Sequence, residues 1–274
     1  MHHDNNNNNN QQWLSTGATT PIVDTIDEGR QGKRGRSAKK GWFWGGVFDL
    51  KTRLIYVMPG SGKRVLVFDP RTGTQTRLGP DLNEEKRSLG LTDAGLEEKY
   101  TGGVLANNGC IYAIPRQANR VLKIDPSIQK VTCIGDSFFH EEEEAEADEG
   151  GVHVPSSGPR LWLDGALGGD GCIYCCPHDA DYIMRINPED DSTALVGPDL
   201  SHFMKEGKRG AKWLGAVADN NGAVYMVAHE TDFMLKVTPP ASSGGELEVS
   251  PLETDLSEFG GSKFVGGVLG TDGK

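Results

Sequence analysis

Residues 99–126, KYTGGVLANNGCIYAIPRQANRVLKIDP, decide the fold, because the chain repeats this text with variations. From residue 42 it reads WFWGGVFDLKTRLIYVMPGSGKRVLVFDP, from residue 162 WLDGALGGDGCIYCCPHDADYIMRINP, and from residue 212 KWLGAVADNNGAVYMVAHETDFMLKVTP. Small-residue doublets mark the period: Gly45-Gly46, Gly102-Gly103, Gly165-Ala166, Gly215-Ala216 and Gly266-Gly267 follow one another by 57, 63, 50 and 51 residues. A period near 50 is typical of propeller blades.

Each unit predicts four short strands. The first carries the doublet and ends at NNG (107–109), GDG (169–171) or NNG (220–222), where Asn-Gly and Asp-Gly suit a two-residue hairpin turn. The second is LIYVM, CIYAI, CIYCC or AVYMV, with Tyr56, Tyr112, Tyr174 and Tyr225 in register. The third ends at Pro70, Pro126, Pro188 or Pro239, since proline has no amide with which to continue pairing. The fourth is TQTRLG, KVTCIG or STALVG, and it blurs in the last unit. Such units have two open edges and too small a core to stand alone, so they must stack on one another. The expected fold is therefore an all-β propeller of four-stranded antiparallel blades, with about four blades and the start of a fifth. The units begin near 42, 99, 162, 212 and 263, and KFVGGVLGTDGK stops at its first turn, which predicts an incomplete arc with exposed strand edges.

The doublets, the tyrosine about ten residues on, the IDP strand end and the period resemble kelch or YVTN-type propellers. They are more similar still to a repeat class of protists and algae reading KWxGGVLAxNGxIYxIPxxAxRVLxIDP. The resemblance covers about 42–274 and implies a propeller with no chemistry to carry over. Kelch blades place a tryptophan in the fourth strand, where this chain has Thr76, Cys133 and Leu195.

The 274 residues include 37 glycines, as a fold of tight turns requires, and carry a net charge of −11, which argues against nucleic acid as a partner of the folded part. Residues 1–40 hold six consecutive asparagines and a basic cluster (30–40), and read as a disordered arm whose cluster is a solvated linker or a nuclear-import patch. The acidic run HEEEEAEADEG at 140–150 lies in an expected disordered insertion, 138–160, without the staggered ligand spacing of a calcium loop. Cys110, Cys133, Cys172, Cys175 and Cys176 have no zinc-like spacing, and their odd number favours a reducing compartment, cytoplasmic or nuclear. No apolar run reaches the length of a membrane span, so no membrane partner is expected.

Three groups of residues invite a functional reading. PGSGKR (59–64) lacks the P-loop's first glycine and its final hydroxyl, because Val57 and Arg64 stand there, and it reads as a hairpin loop. His178, Asp179 and Asp181 recur 51 residues on as His229, Glu230 and Asp232, in the loops after the second strands. Adjacent blades would bring the two sets together as a divalent-metal or acid–base grouping, although polar residues are also ordinary in exposed loops. Lys99, Lys212 and Lys263 each precede an aromatic, Tyr100, Trp213 and Phe264, and could ring an anionic or peptide-binding mouth. The competing reading packs the aromatics between blades and leaves the lysines accessible in solvent.

The leading expectation is a non-enzymatic module that binds a protein or peptide on its loop-rich face and needs no cofactor. The alternatives are a divalent-metal-dependent propeller lyase or lactonase, and a truncated structural repeat without a dedicated ligand.

Overall fold

The structure, a computed structural model, describes residues 43–84, 98–138, 161–203, 211–241 and 245–270, all within the unit Lys40–Lys274. It contains four antiparallel four-stranded sheets whose strands follow one another in chain order. The first is β1 (Phe43–Asp49), β2 (Leu54–Pro59), β3 (Val65–Phe68) and β4 (Gln75–Leu78). The second is β5 (Tyr100–Leu105), β6 (Ile111–Pro115), β7 (Val121–Asp125) and β8 (Lys130–Ile134). The third is β9 (Trp162–Leu167), β10 (Ile173–Pro177), β11 (Ile183–Asn187) and β12 (Ser192–Val196). The fourth is β13 (Trp213–Ala218), β14 (Val224–Ala228), β15 (Leu235–Thr238) and β16 (Glu248–Pro251), so the strand that blurs in the sequence exists, after a longer connection. These are the blades of an all-β propeller, with first strand on first strand from one blade to the next.

Three cores lie between neighbouring blades, which explains why the second strands read as continuous apolar runs. In β6, Ile111 and Ala113 face the first blade while Tyr112 and Ile114 face the third. In β10, Ile173 and Cys175 face the second blade, and Tyr174 and Cys176 the fourth. The two-residue period of a strand thus feeds two cores at once. All five cysteines are thiols, and burial raises Cys175 and Cys176 well above the usual thiol range.

The turns between first and second strands correct the expectation of two-residue hairpins. Ala106 and Cys110 close a three-residue loop in which the Gly109 amide donates to the Ala106 carbonyl (2.9 Å) and Gly109 takes φ 80°. The equivalent bonds, Gly171 to Gly168 and Gly222 to Asp219, recur in the next two blades at 3.0 Å. This is a type I turn followed by a left-handed glycine, so the glycine is needed and a second left-handed residue is not.

The arm at 1–40 and residues 139–160 of the acidic insertion lie outside the described residues. Phe138, the first residue of that expected insertion, packs edge-on against Trp162 with ring centroids 4.9 Å apart.

Candidate functional site

At the end of the propeller that carries the loops between second and third strands, one position in each unit from the second onward acts as a backbone hub. The amides of Lys99, Leu161, Lys212 and Lys263 donate to the carbonyls of Gly60, Arg116, His178 and His229 in the preceding blade, at 3.2, 2.7, 3.2 and 3.0 Å. The carbonyls of Lys99, Leu161 and Lys212 accept in turn from amides of their own blade's loop, at Arg116, His178 and His229. One residue therefore ties two blades, and the side chain it carries is drawn inside.

The six residues expected at an open mouth are interior or half-buried. Lys99 and Lys212 are 1% and 0% exposed, Tyr100 and Trp213 are buried, and the Lys263 side chain is wholly covered. Phe264 is half-buried and contacts the ring of Phe259. The aromatics pack as one of the two readings proposed, but the accompanying expectation of accessible lysines is corrected, because the hub backbone carries each lysine beneath the neighbouring loop. Trp162 and Trp213 also donate their indole N–H to the carbonyls of Tyr182 (3.0 Å) and Phe233 (3.1 Å) in their own blades.

The histidine–carboxylate loops are the loops that meet Lys212 and Lys263. Lys212 donates to the Asp179 carbonyl at 3.3 Å and sits in the field of Asp181 and Asp179. Burial still holds its ammonium below the ordinary lysine range against those two charges. Lys263 lies 2.9 Å from Asp232 Oδ1, close enough for an ion pair, although the approach is not aligned as a hydrogen bond. Lys99 donates to Asn83 Oδ1 at 2.8 Å.

The histidines face the following unit as well. His178 Nδ1 is 2.7 Å from Asp179 Oδ1 and 3.1 Å from the Ala211 amide, and His229 Nδ1 donates to the Phe264 carbonyl at 2.9 Å. Glu230 accepts from the amide and hydroxyl of Ser262, both at 3.0 Å. So His178, Asp179 and Asp181 meet Lys212, while His229 and Asp232 meet Lys263 and Glu230 meets Ser262. The expected convergence of the two loops on one metal is not formed: among the described residues no three histidine, cysteine or carboxylate side chains are grouped as metal ligands.

At the opposite end two of the tyrosines make the equivalent join, while Tyr174 and Tyr225 donate to Asp170 and Asp219 of their own blades. Gln129 donates to the Tyr56 hydroxyl (2.8 Å), and the Tyr112 hydroxyl donates to Asp191 Oδ1 (2.9 Å), which also receives Lys123. Gln129 and Asp191 hold equivalent left-handed positions, φ 51° and 60°, in the third-to-fourth-strand turns.

Asp164 is a residue that sequence reasoning missed. Every first strand carries one extra residue relative to its partner, at Gly45, Gly102, Asp164 and Gly215. In the third unit the doublet position is therefore Asp164-Gly165, not Gly165-Ala166, and Ala166 pairs with the tyrosine as Val47, Val104 and Val217 do. Aligning on the tyrosines would have shown it. The Asp164 carboxylate lies between blades, 3.1 Å from where a Cβ on Gly102 would stand, and accepts the amides of Gly165 (2.9 Å) and Ala216 (3.3 Å). Burial raises its pKa in spite of those two donors.

The outer rims of these loops divide by charge. In the first two blades Lys63, paired with Asp81 at 3.3 Å, Arg64 and Arg120 are exposed, whereas in the last two Asp181 is exposed and Asp232, paired with Lys263, partly so.

The chain matches no protein-family model and no curated protein. Among solved structures it is similar to virginiamycin B lyase from Staphylococcus aureus, with TM-score 0.52 and 14% identity over 84% of this chain and 61% of that one. It is equally similar to a streptogramin B lyase, with TM-score 0.52 and 13% identity over 84% of this chain and 60% of that one. The chain thus spans about three fifths of the length of these structures, and at such identities the likeness is one of fold, the β-propeller.

Proposed function

We propose that this chain is a non-enzymatic, kelch-like propeller module that binds a protein or peptide across its second-to-third-strand loops. The observation that carries the reading is the division of charge on that face, with exposed Lys63, Arg64 and Arg120 on two blades and Asp181 and Asp232 on the other two. The same loops join blades, Asp232 among them through Lys263, which makes the face a rigid platform. An extended segment with an acidic stretch followed by a basic one would complement it, with steering that salt screens. Display of a random peptide library on the purified chain is expected to enrich such bipolar sequences. Arg64→Glu with Arg120→Glu should weaken the selected peptides about tenfold or more, in line with loss of complementary charge. Enrichment without charge bias, or peptides indifferent to the reversal, would refute the reading.

A second reading, an enzyme of the lyase or lactonase type, has Asp164 in its favour. A half-buried carboxyl with raised proton affinity is a candidate for proton transfer. Ring opening of cyclic ester substrates by the wild-type chain, lost in a folded Asp164→Asn variant, would support it. Equal rates in the two proteins would dismiss it.

A further inference from the structure

The sequence contains two Asn-Gly pairs, Asn108-Gly109 and Asn221-Gly222, each in an Asn-Asn-Gly turn between a first and a second strand. Asparagine before glycine is chemically labile, because the glycine nitrogen attacks the asparagine side-chain carbonyl carbon with no Cβ to obstruct ring closure. The two turns share one backbone. Gly109 and Gly222 have φ 80° and 84°, and their amides donate to the Ala106 and Asp219 carbonyls at 2.9 and 3.0 Å. Both asparagines are exposed. The turns differ in what holds the side chain.

Asn108 is tied through both atoms of its amide. Its Oδ1 accepts from the Cys110 amide at 2.9 Å, and its Nδ2 donates to the Tyr112 hydroxyl (2.9 Å) and to the Pro188 carbonyl of the third blade (2.8 Å). The third unit carries Asp170 at this position, and its carboxylate accepts from the Cys172 amide (3.1 Å) and the Tyr174 hydroxyl (2.9 Å). In the fourth unit these bonds move to Asp219, at the position of Ala106. Asp219 Oδ1 accepts from the amides of Asn221 and Ala223, both at 2.9 Å, and Oδ2 from the Tyr225 hydroxyl at 3.1 Å. Asp219 thereby displaces Asn221 from the network: the Asn221 side chain makes no hydrogen bond among the described residues.

We propose that Asn221 is a site of spontaneous deamidation, and that Asn108, in the same Asn-Asn-Gly context, is protected by its three side-chain bonds. The Gly222 nitrogen gives up its proton and bonds to Asn221 Cγ, the Cγ–Nδ2 bond breaks, and the side-chain nitrogen leaves as ammonia. Water then opens the cyclic imide, at Cγ to give aspartate or at the backbone carbonyl carbon to give isoaspartate. Both glycines must release the turn carbonyl to react, so that requirement is common to the two sites. Asn108 must also break three further bonds before its Cγ reaches the glycine nitrogen, and Asn221 breaks none.

The position gives the reaction a structural consequence. The Gly222 carbonyl accepts from the Gly169 amide at 2.9 Å, which joins the turns of the third and fourth blades, and a Cβ on Gly169 would stand 3.0 Å from Gly222 Cα. Isoaspartate puts an extra methylene into the backbone beside that close contact, displaces Gly222 and releases the bond. The turn lies at the end opposite the charged loops, so the peptide-binding proposal stands or falls without it.

The test is peptide mapping by mass spectrometry of the full chain, aged in mildly alkaline buffer at physiological temperature, folded and in urea, with electron-transfer fragmentation to tell isoaspartate from aspartate. In the folded chain Asn221 is expected to convert at least about tenfold faster than Asn108, in line with three bonds to be broken at one site alone. In urea the two rates should converge, since each reacting residue lies between an asparagine and a glycine. Hydrogen exchange of the Gly169 amide should rise with the isoaspartate content of the aged chain and stay constant in an equally aged Asn221→Ser variant. Equal rates at the two sites in the folded chain, or a faster Asn108, would overturn the proposal. So would an Asn221 that converts in urea but not when folded, or a rate difference that persists unchanged in urea. Gly169 exchange indifferent to isoaspartate would overturn the consequence for the blade join.

Discussion

The amide of Ala216 donates to the Asp164 carboxylate across 3.3 Å, so a side chain of the third blade's first strand holds the backbone of the fourth. Burial raises the Asp164 pKa above its ordinary 3.8, although the Gly165 and Ala216 amides pull the other way. A carboxyl whose folded value is raised is held protonated by folding. Its favourable contribution is complete below the ordinary value and is lost as pH rises through the folded value. The difference in unfolding free energy between wild type and the permanently neutral Asp164→Asn should therefore fall as pH rises across that window. Urea titrations of both proteins from pH 3 to 7 measure it, and a difference independent of pH would contradict the assignment. Asp49 runs the other way: burial raises it, but hydrogen bonds from Thr52 and Lys51 outweigh burial and leave it low. Its stabilisation is present above the ordinary value and lost on acidification, and it cancels in the comparison because both proteins share it.

Lys263 tests whether the histidine–carboxylate loops join blades. Its side chain is wholly covered and 2.9 Å from Asp232, whose own side chain is 39% exposed. Asp232→Ala leaves a covered ammonium without its counter-charge, a loss of about 1–3 kcal/mol when one partner of a buried polar contact is removed. Lys263→Met with Asp232→Ala removes the charge as well and should recover much of that loss. A double-mutant cycle on the midpoints of chemical unfolding measures the coupling, and strict additivity would show that the pair does no joining.

The sequence announced the propeller because its signals are local and repeated: a doublet, a turn glycine, a tyrosine and a terminal proline in each unit. It also brought out the lysine–aromatic and histidine–carboxylate groups, but as separate groups. That Lys212 faces the loop of Asp179 and Asp181, and Lys263 that of Asp232, depends on backbone bonds between blades, such as the Lys212 amide to the His178 carbonyl. A single unit does not display those partners. The exposure of the lysines was misjudged for the same reason, since a lysine before an aromatic has no local mark of burial. Asp164 was hidden by an alignment on small residues, in which Gly165-Ala166 looks as good a doublet as Asp164-Gly165. The tyrosine register would have resolved it.

Tyr112 tests the join at the opposite end. Its hydroxyl donates to Asp191 and accepts from Asn108 Nδ2 at 2.9 Å, and burial pushes its pKa up to about 12. Tyr112→Phe keeps the ring in the core but leaves Asp191 and Asn108 with one partner fewer, for an expected loss of about 1 kcal/mol. A calorimetric melting temperature lowered by a few degrees is the corresponding reading. An unchanged or raised melting temperature would mean that Lys123, which also binds Asp191 at 2.6 Å, suffices without the phenol.

Gly215 and Gly73 separate backbone strain from close approach. Both have positive φ, 123° and 72°, so alanine at either must adopt a conformation that L-residues avoid. At Gly73 a new Cβ would meet nothing within 4 Å, and the cost is the strain alone, about 1–2 kcal/mol. At Gly215 the Cβ would stand 2.6 Å from Gly266 Cα and 2.8 Å from its amide nitrogen, inside backbone that cannot rotate away. The 263–269 segment must then lift from the fourth blade, and the hydrogen bond from the Gly266 amide to Leu214 is lost with it. Gly215→Ala should therefore cost about 1–3 kcal/mol more than Gly73→Ala, the usual range for overpacking a tight contact. It should also raise the hydrogen exchange of the Gly266 amide, which Gly73→Ala leaves unchanged. Equal losses in the two variants, with the Gly266 amide protected in both, would show that the 263–269 segment is not seated on the fourth blade.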